Sequence, residues 1–525
     1  MRAGRTPGRA VTPARLRRWM ALWLVTMLAP LAWPGLVAAE VRPAGTWVFD
    51  DVADYPGITM MRVEPKGRGM VGRLTSRWYG DVEMRGIVLR GATLHFDTRN
   101  INDRDRPTRH WTATFDGRRS VLLKGGIWHG DIAQHGRRGT PQEVRRLAFR
   151  PAAPLPPLGT LAPDGLAATP PMGWSSWNRF ADRIDDATIR AMADALVTSG
   201  LRDAGYVYVN IDDGWQGTRG PDGALRANDR FPDMKALADY VHARGLKLGI
   251  YSAPGPRTCA GYEGSYGHVA QDARTFAAWG VDYLKYDLCS GEWFYDTAER
   301  VKQAYHAMGQ ALRATGRPIL FSLCEYGRFD VADWGRSVGG HVWRTTGDIT
   351  DDYKTMADIG FERNPRFPHH GPGGWNDPDM LEVGNGGMTR DEYRTHMALW
   401  AMQAAPLIMG HDLRRMTDDT RRLLAMRAVI AIDQDRLGEQ GHRIRRAEGV
   451  ELWRKRLSDG SVAVAIFNRT TLAQRARLLP EDSGLAGAVR VRDLFEDREL
   501  AGDEVVPTVA PHGVVLLRIE PVEGR

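Results

Sequence analysis

Cysteine is scarce. The 525 residues hold three, Cys259, Cys289 and Cys324, too few for a disulfide-built scaffold and without a CxxC metal spacing. No HExxH occurs, the histidines are scattered, and the adjacent His369-His370 reads as loop. A phosphate-binding P-loop and a GxSxG nucleophile elbow are also missing. One GxGxxG match, Gly67 to Gly72, precedes a β-like run where a dinucleotide site needs a helix, and is rejected. Neither a metal nor a cofactor is expected. Past residue 39 no apolar stretch is long enough to cross a bilayer.

Basic charge is scarce where it would matter. The formal net charge is +7, yet Arg2, Arg5, Arg9, Arg15, Arg17 and Arg18 lie in residues 1–39, which hold no acid. Without those six the balance is 65 basic against 64 acidic residues, a net +1. Nucleic acid is therefore excluded as a partner. The same stretch has the form of a signal peptide: a basic start, an apolar run from Trp19 to Trp33, and the small residues Val37-Ala38-Ala39 before a cleavage expected at Glu40. The mature chain is expected to be exported, to periplasm or medium, with no membrane attachment. In such a compartment one cysteine pair can oxidise, leaving one thiol free.

Tryptophan, by contrast, is abundant at 17 residues. Ring faces stack on the apolar C–H faces of sugars, although large side chains in a large core account for any single Trp equally well. Hydrophobic content of 43% and charged content of 26% are those of a soluble globular chain of several domains.

Four stretches follow residues 1–39. Residues 42–150 carry short β-like runs such as Thr46–Phe49, Gly86–Leu89 and Ala92–Phe96, separated by turns such as Asp116-Gly117. They read as a small antiparallel β domain, an accessory that is structural or carbohydrate-binding. Residues 151–166 are a proline-rich, semi-rigid linker. From 168 to 435, strands alternate with amphipathic helices. The strands are expected to end near Trp177, Asp213, Tyr251, Asp287, Glu325, Asp348, Asp379 and His411. Eight βα units argue for a (β/α)8 TIM barrel. Residues 437–525 return to β patterning, clearest at Val462–Phe467 and Gly513–Leu517, and read as a C-terminal antiparallel β sandwich. Asn468-Arg469-Thr470 is a glycosylation sequon, a triplet common by chance.

Nearly every polar oddity in the barrel stretch falls at the C-terminal end of a strand, where barrel active sites are built. Buried carboxylates are costly unless partnered, so apolar strands that end in acids need a reason. The second strand ends in Asp212-Asp213-Gly214-Trp215, suited to bidentate hydrogen bonds with neighbouring sugar hydroxyls, or to a helix cap. On the fourth strand Lys285 and Asp287 share a face. A lysine there keeps the carboxylate ionised, and an ionised carboxylate can attack an anomeric carbon; a structural ion pair reads equally well. The sixth supplies Arg344 and a second carboxylate, Asp348, which can cycle as acid and base. Two such groups roughly 5–5.5 Å apart give a retaining double displacement. The seventh, Gly373 to Met380, crowds polar and aromatic groups together and reads as partly structural. Carboxylates with aromatics leave glycoside chemistry as the default, with a carbohydrate as the partner.

Seven segments, in order, carry a resemblance to glycoside hydrolase family 27: TPPMGWSSWNRF (169–180), YVNIDDGW (208–215), KLGIYS (247–252), YLKYDLC (283–289), FSLCEYG (321–327), WRTTGDI (343–349) and GPGGWNDPDML (371–381). The resemblance implies a retaining, exo-acting α-galactosidase with Asp287 as nucleophile and Asp348 as acid/base. Trp177, Asp212, Asp213, Tyr251, Lys285 and Arg344 match substrate-contacting positions. The paired aspartates hold the galactose 4- and 6-hydroxyls, and Glu325 matches a residue near the 2-hydroxyl. Cys259 and Cys289 match a family disulfide, which leaves Cys324 free. Tyr326 departs from the family, where many relatives have Trp. The alternatives are a β-L-arabinopyranosidase or an α-N-acetylgalactosaminidase of the same family, or a non-catalytic carbohydrate-binding protein. Retention of both Asp212 and Asp213 favours galactose, and the two carboxylates Asp287 and Asp348 favour catalysis over binding alone.

Overall fold

The computed structural model describes residues 41–49, 57–76, 80–99, 108–127, 130–149, 154–369, 371–500 and 506–522; the stretch expected to be a signal peptide and His370 lie outside them. Eight antiparallel strands, from Gly45–Phe49 to Gly130–Arg138, form the N-terminal unit. They close into a barrel, because Trp47 of the first strand pairs with Arg138 of the last. Alternate residues such as Trp47, Leu74, Leu94, Phe96, Phe115 and Leu123 fill the interior. The rejected glycine motif is a hairpin: Gly67 and Arg68 turn between Ile58–Lys66 and Gly69–Ser76.

The described part of the proline-rich stretch does not hang free as a spacer. Leu161 donates its N–H to Ser337 O at 2.8 Å, and Asp164 pairs with His341 at 2.9 Å and Arg313 at 3.0 Å.

The central unit is a ring of eight parallel strands: Met172–Ser175, Tyr208–Asn210, Lys247–Ser252, Tyr283–Asp287, Leu320–Cys324, Val342–Arg344, Trp375–Asp377 and Leu407–Met409. The eighth pairs with the first through Leu407↔Met172, and a parallel bridge, Leu381↔Met409, completes the circle. Each strand ends within four residues of its expected position, Asp348 lying furthest out at four beyond Arg344. The helices follow their apolar periodicity. Asp186–Thr198 buries Ile189, Met192, Ala193 and Leu196, and its N-cap Asp185 accepts from Thr188 N. Arg390–Met402 opens on the capping box Thr389/Glu392.

The C-terminal unit has a six-stranded antiparallel sheet and a two-stranded ladder, Gln474–Arg475 with Thr508–Val509. Its central strand Val462–Asn468 is buried throughout. The period of two explains that. Ala463, Ala465 and Phe467 join the barrel's own core, whereas Val462, Val464 and Ile466 pack into a separate core under the ladder. The sequon does not present a glycan site here: Asn468 is fully buried, and its amide donates to Leu472, Val509 and Ala510 carbonyls.

Lys455 pins this sheet to the barrel. Its buried ammonium donates to Ala401 O at 3.0 Å and Ile432 O at 2.6 Å. Both carbonyls lie in the last turn of a helix, Arg390–Met402 or Arg427–Asp433, where cations are favoured. Burial drags the lysine down to about 8, against the pull of Asp433. Lys455→Met would leave both carbonyls and Asp433 without their cation. It is expected to cost about 2–4 kcal/mol, read as a lower urea midpoint; an unchanged midpoint would show that the anchor is dispensable.

Candidate active site

Pairing in register layers the inside of the central barrel. Tyr208, Tyr283, Leu320, Val342 and Trp375 form an apolar floor. Two residues further along the strands come Asn210, Lys285, Ser322, Arg344 and Asp377, a polar layer around a common cavity. The intervening residues Val209, Leu284, Phe321 and Trp343 point outward into the helical core. Charges inside a barrel floored by aromatics need partners, and the geometry supplies them.

A pocket at the strands' C-terminal ends brings together Trp177, Asp212, Asp213, Tyr251, Lys285, Asp287, Arg344 and Asp348. Asp287, the last residue of its strand, is buried. Its Oδ1 accepts from the Tyr326 hydroxyl at 2.8 Å and from the Cys289 N–H at 3.3 Å. Burial pushes its pKa up; the Lys285 charge and the Tyr326 hydroxyl pull against that, while Asp348 adds to the rise. The lysine acts at a distance, because its direct partner is Asp212, at 3.0 Å. The expected side-by-side pair of Lys285 and Asp287 is thus a triad with Asp212 as its third member. Lys285 and Asp287 lie two residues apart on one face, and Asp212 reaches in from the loop after the second strand.

Arg344 governs the other carboxylate. Nearly inaccessible itself, it donates from Nη2 to Asp348 Oδ1 at 3.0 Å and lies 3.1 Å from Asp379 Oδ2. Asp348 stands at the pocket mouth with its side chain 65% exposed. Desolvation by the pocket pushes its pKa up, but the charges of Arg344 and Lys285 outweigh this and leave it below the ordinary value. Asp379 behaves oppositely: burial and the negative charges of Asp348 and Asp377 raise it to about 6, despite Arg344. One guanidinium therefore contacts both carboxylates and lowers the pKa of each, against burial.

Asp213 Oδ2 accepts from the Ala260 N–H at 2.7 Å, and Oδ1 is buried with no partner among the described residues. Burial lifts this carboxyl to about 7. Asp212 Oδ1 accepts from the Asp213 backbone N–H at 2.9 Å, which fixes the Asp212 side chain against the chain that carries Asp213. Cys259 and Cys289 form a disulfide against the pocket wall, with Tyr251 donating to Cys259 Sγ at 2.9 Å. Cys324 is a buried free thiol. Cys259, Asp287 and Cys289 are the only acid, cysteine and histidine grouping tight enough for a cation among the described residues, and two of its three members are the disulfide.

Glu325 is the exception among the predicted residues: it is fully buried and does not line the pocket. Cys324 is in register with Asp287 and shares its face, so the next residue turns to the helical side, toward Tyr305. Burial raises Glu325 well above the ordinary carboxylate range. Tyr326 takes the pocket position instead, held there by a left-handed backbone (φ 64°). Tyr326 and Asp379, with Asn178, Ile349 and Met380, line the pocket without having been selected as site residues from the sequence. Asp379 also has a left-handed backbone (φ 87°), and such strain in a non-glycine residue clusters at functional sites.

Tyr326→Phe removes a hydrogen bond to the ionised form of Asp287. Losing it raises the Asp287 pKa, so the acid limb of kcat/KM is expected to move to higher pH by about one unit. A profile superimposable on the parent would show that the hydroxyl does not tune the carboxylate.

The family model described as alpha galactosidase A matches residues 169–435, and that of the alpha galactosidase C-terminal beta sandwich domain matches residues 447–519. An α-galactosidase of Cyamopsis tetragonoloba is 46% identical over 369 residues, 69% of this chain and 88% of its own length. The chain belongs to the α-galactosidases of glycoside hydrolase family 27. Among solved α-galactosidase structures, that of α-galactosidase I from Mortierella vinacea is 34% identical with a TM-score of 0.65, covering 68% of this chain and 98% of its own. A Bacteroides fragilis protein assigned provisionally as an α-galactosidase/melibiase is 33% identical with a TM-score of 0.64; it covers 91% of this chain and 98% of its own.

Proposed function

We propose that this enzyme, a glycoside hydrolase with α-galactosidase activity, removes terminal α-D-galactosyl groups from oligo- or polysaccharides by double displacement through Asp287 and Asp348. The observation that carries the reading is the pairing of two carboxylates of opposite character in one pocket. Asp287 is buried and fixed by Tyr326; Asp348 is open to the mouth and held by Arg344.

Galactose enters with its non-reducing end toward Asp212 and Asp213, whose carboxyl oxygens take the 4- and 6-hydroxyls. Asp213 Oδ1, buried and unpartnered, has the capacity for such a bond. Asp287 attacks C1 while Asp348 gives its proton to the glycosidic oxygen; the C1–O bond breaks and the remaining sugar departs as an alcohol. The resulting β-galactosyl ester is opened by water, which gives a proton to Asp348 as it attacks C1. Two inversions leave the product with the α configuration, and both carboxyl groups return to their starting states. Lys285 and Arg344 keep negative charge tolerable at the start of the cycle.

The test is proton NMR of p-nitrophenyl α-galactoside hydrolysis, read before mutarotation. Initial α-galactose supports the double displacement. Initial β-galactose would keep the substrate and overturn the covalent route. Among the described residues no helix is long and apolar enough to cross a membrane. Export rests on the basic, then apolar, then small-residue pattern of residues 1–39.

A further inference from the structure

The two donors that hold Asp287 come from segments outside its strand, and a buried ion pair joins those segments. Cys289, whose N–H is one donor, is the first residue of a short helix, Cys289–Trp293, that starts two residues after the nucleophile. Tyr326, whose hydroxyl is the other, sits in the left-handed turn after the fifth barrel strand. Glu292, in the same short helix as Cys289, is ion-paired through Oε2 with Nη1 of Arg328, two residues beyond Tyr326. Its side chain is only 7% exposed. We propose that Glu292 and Arg328 are positioning residues of the nucleophile: their ion pair holds the two segments at the separation where both donors meet Asp287 Oδ1. The proposal rests on the double-displacement reading above.

Three observations carry it. First, the pair is a poor way to fill space. A buried ion pair adds little stability over apolar side chains of the same volume, and Glu292 Oε1 has no hydrogen-bond partner among the described residues. What such a pair supplies is a directional link. Second, Arg328 reaches the ring that it positions. Its guanidinium carbon lies 5.9 Å from the Tyr326 ring centre, and that of Arg344 lies 5.7 Å away. The ring thus meets two cations, one fixed by Glu292 and the other by Asp348 and Asp379. Third, the turn needs outside restraint. Tyr326 and Gly327 are left-handed (φ 64° and 74°), and so are Phe329 and Asp330 beyond Arg328. Such a run of residues is strained and persists only where its surroundings impose it. The Arg328 side chain supplies one tether, and the Gly327 N–H, donating to the Arg344 carbonyl at 3.0 Å, supplies another.

The test is Glu292→Gln, read as the acid limb of kcat/KM on α-galactosyl fluoride, so that the demand for a general acid is small. Two effects oppose each other in sign. Removing a negative charge near Asp287 makes the nucleophile easier to ionise, which alone moves the limb to lower pH. Loosening the Tyr326 and Cys289 donors makes it harder to ionise, which moves the limb to higher pH. The other titratable groups around Asp287, namely Lys285, Asp213, Tyr251, Tyr305, Cys324 and Asp348, are unaltered, as is Arg109, which faces Glu292 from the N-terminal barrel. Positioning is expected to prevail: the limb rises by about half a unit, and kcat/KM at the optimum falls about tenfold. In a Tyr326→Phe background the same substitution should give no further rise. Should glutamine prevent folding, Glu292→Met combined with Arg328→Met, which keeps the side-chain volume and the net charge, is read in its place with the same expectation. A limb that stays put or moves to lower pH, or a rise of full size in the Tyr326→Phe background, would overturn the positioning role. Normal turnover by Asp287→Asn would instead strike the double-displacement reading.

Discussion

Asp287→Asn is expected to lower kcat on p-nitrophenyl α-galactoside by on the order of 10⁵-fold or more, the scale seen when a covalent nucleophile is removed. Asparagine is nearly isosteric and can still accept from the Tyr326 hydroxyl and the Cys289 N–H, so the pocket keeps its shape. What it loses is the negative charge and the lone pair that bonds to C1. The substitution also removes the carboxylate that feels the Lys285 field, while the Lys285–Asp212 pair stays whole. Folding is therefore preserved and substrate binding changes little. A smaller side chain turns the experiment around: Asp287→Gly with azide present should yield β-galactosyl azide, because the anion attacks from the vacated side. Normal turnover by Asp287→Asn, in a preparation free of contaminating glycosidase, would sink the assignment.

The second large effect belongs to Asp348→Ala and depends on the leaving group. A general acid contributes about 10²–10⁴-fold, so hydrolysis of melibiose should fall by that factor. α-Galactosyl fluoride, whose departure needs little protonation, should keep a far larger share of its galactosylation rate. The ester then accumulates, because no base remains to take the proton from water. Azide should relieve that block and give α-galactosyl azide, the opposite anomer from the nucleophile variant. The pH profile adds a second check. Asp287 works ionised, so activity falls at low pH as burial keeps its pKa high. Asp348 must begin protonated, so activity falls again as pH rises and that proton is lost; the charges of Arg344 and Lys285, which hold its pKa low, place this limb at low pH. Asp348→Ala should flatten that alkaline limb. A uniform loss on all leaving groups, with both limbs intact, would mean that the acid is another residue.

Much of this arrangement was legible because the barrel strands are short and each ends on an oddity. An acid at the end of an apolar run, as at Asp287, has no cheap burial, and its position reads off the strand pattern alone. Side-chain direction was less legible where the chain leaves the sheet. Glu325 follows its strand by one residue, so the pleat sends it behind the wall, and only a left-handed turn returns Tyr326 to the front. Likewise the partner of Lys285 comes from a loop two strands away, a contact that no local spacing encodes. The N-terminal runs signalled a small antiparallel β domain, but the eight strands and their closure depend on pairings such as Trp47 with Arg138, far apart in sequence. The apolar run Val462–Phe467 signalled a strand of the C-terminal domain without saying that one of its faces belongs to the barrel.

That shared face sets what can be inherited separately. The N-terminal barrel has a core of its own and meets the catalytic barrel through surface contacts, such as Arg99 with Asp296 and Phe149 with Phe294. It can be gained or lost between relatives as a complete object. The C-terminal sheet cannot. Trp453, Phe467 and Leu516 are interior residues of the same core that holds Trp343 and Trp400, so the seam drawn near residue 436 divides the sequence but not the solid. A gene fusion that exchanged everything after that seam would be remodelling the inside of the enzyme, and selection on the sheet must run through the barrel it helps to fill.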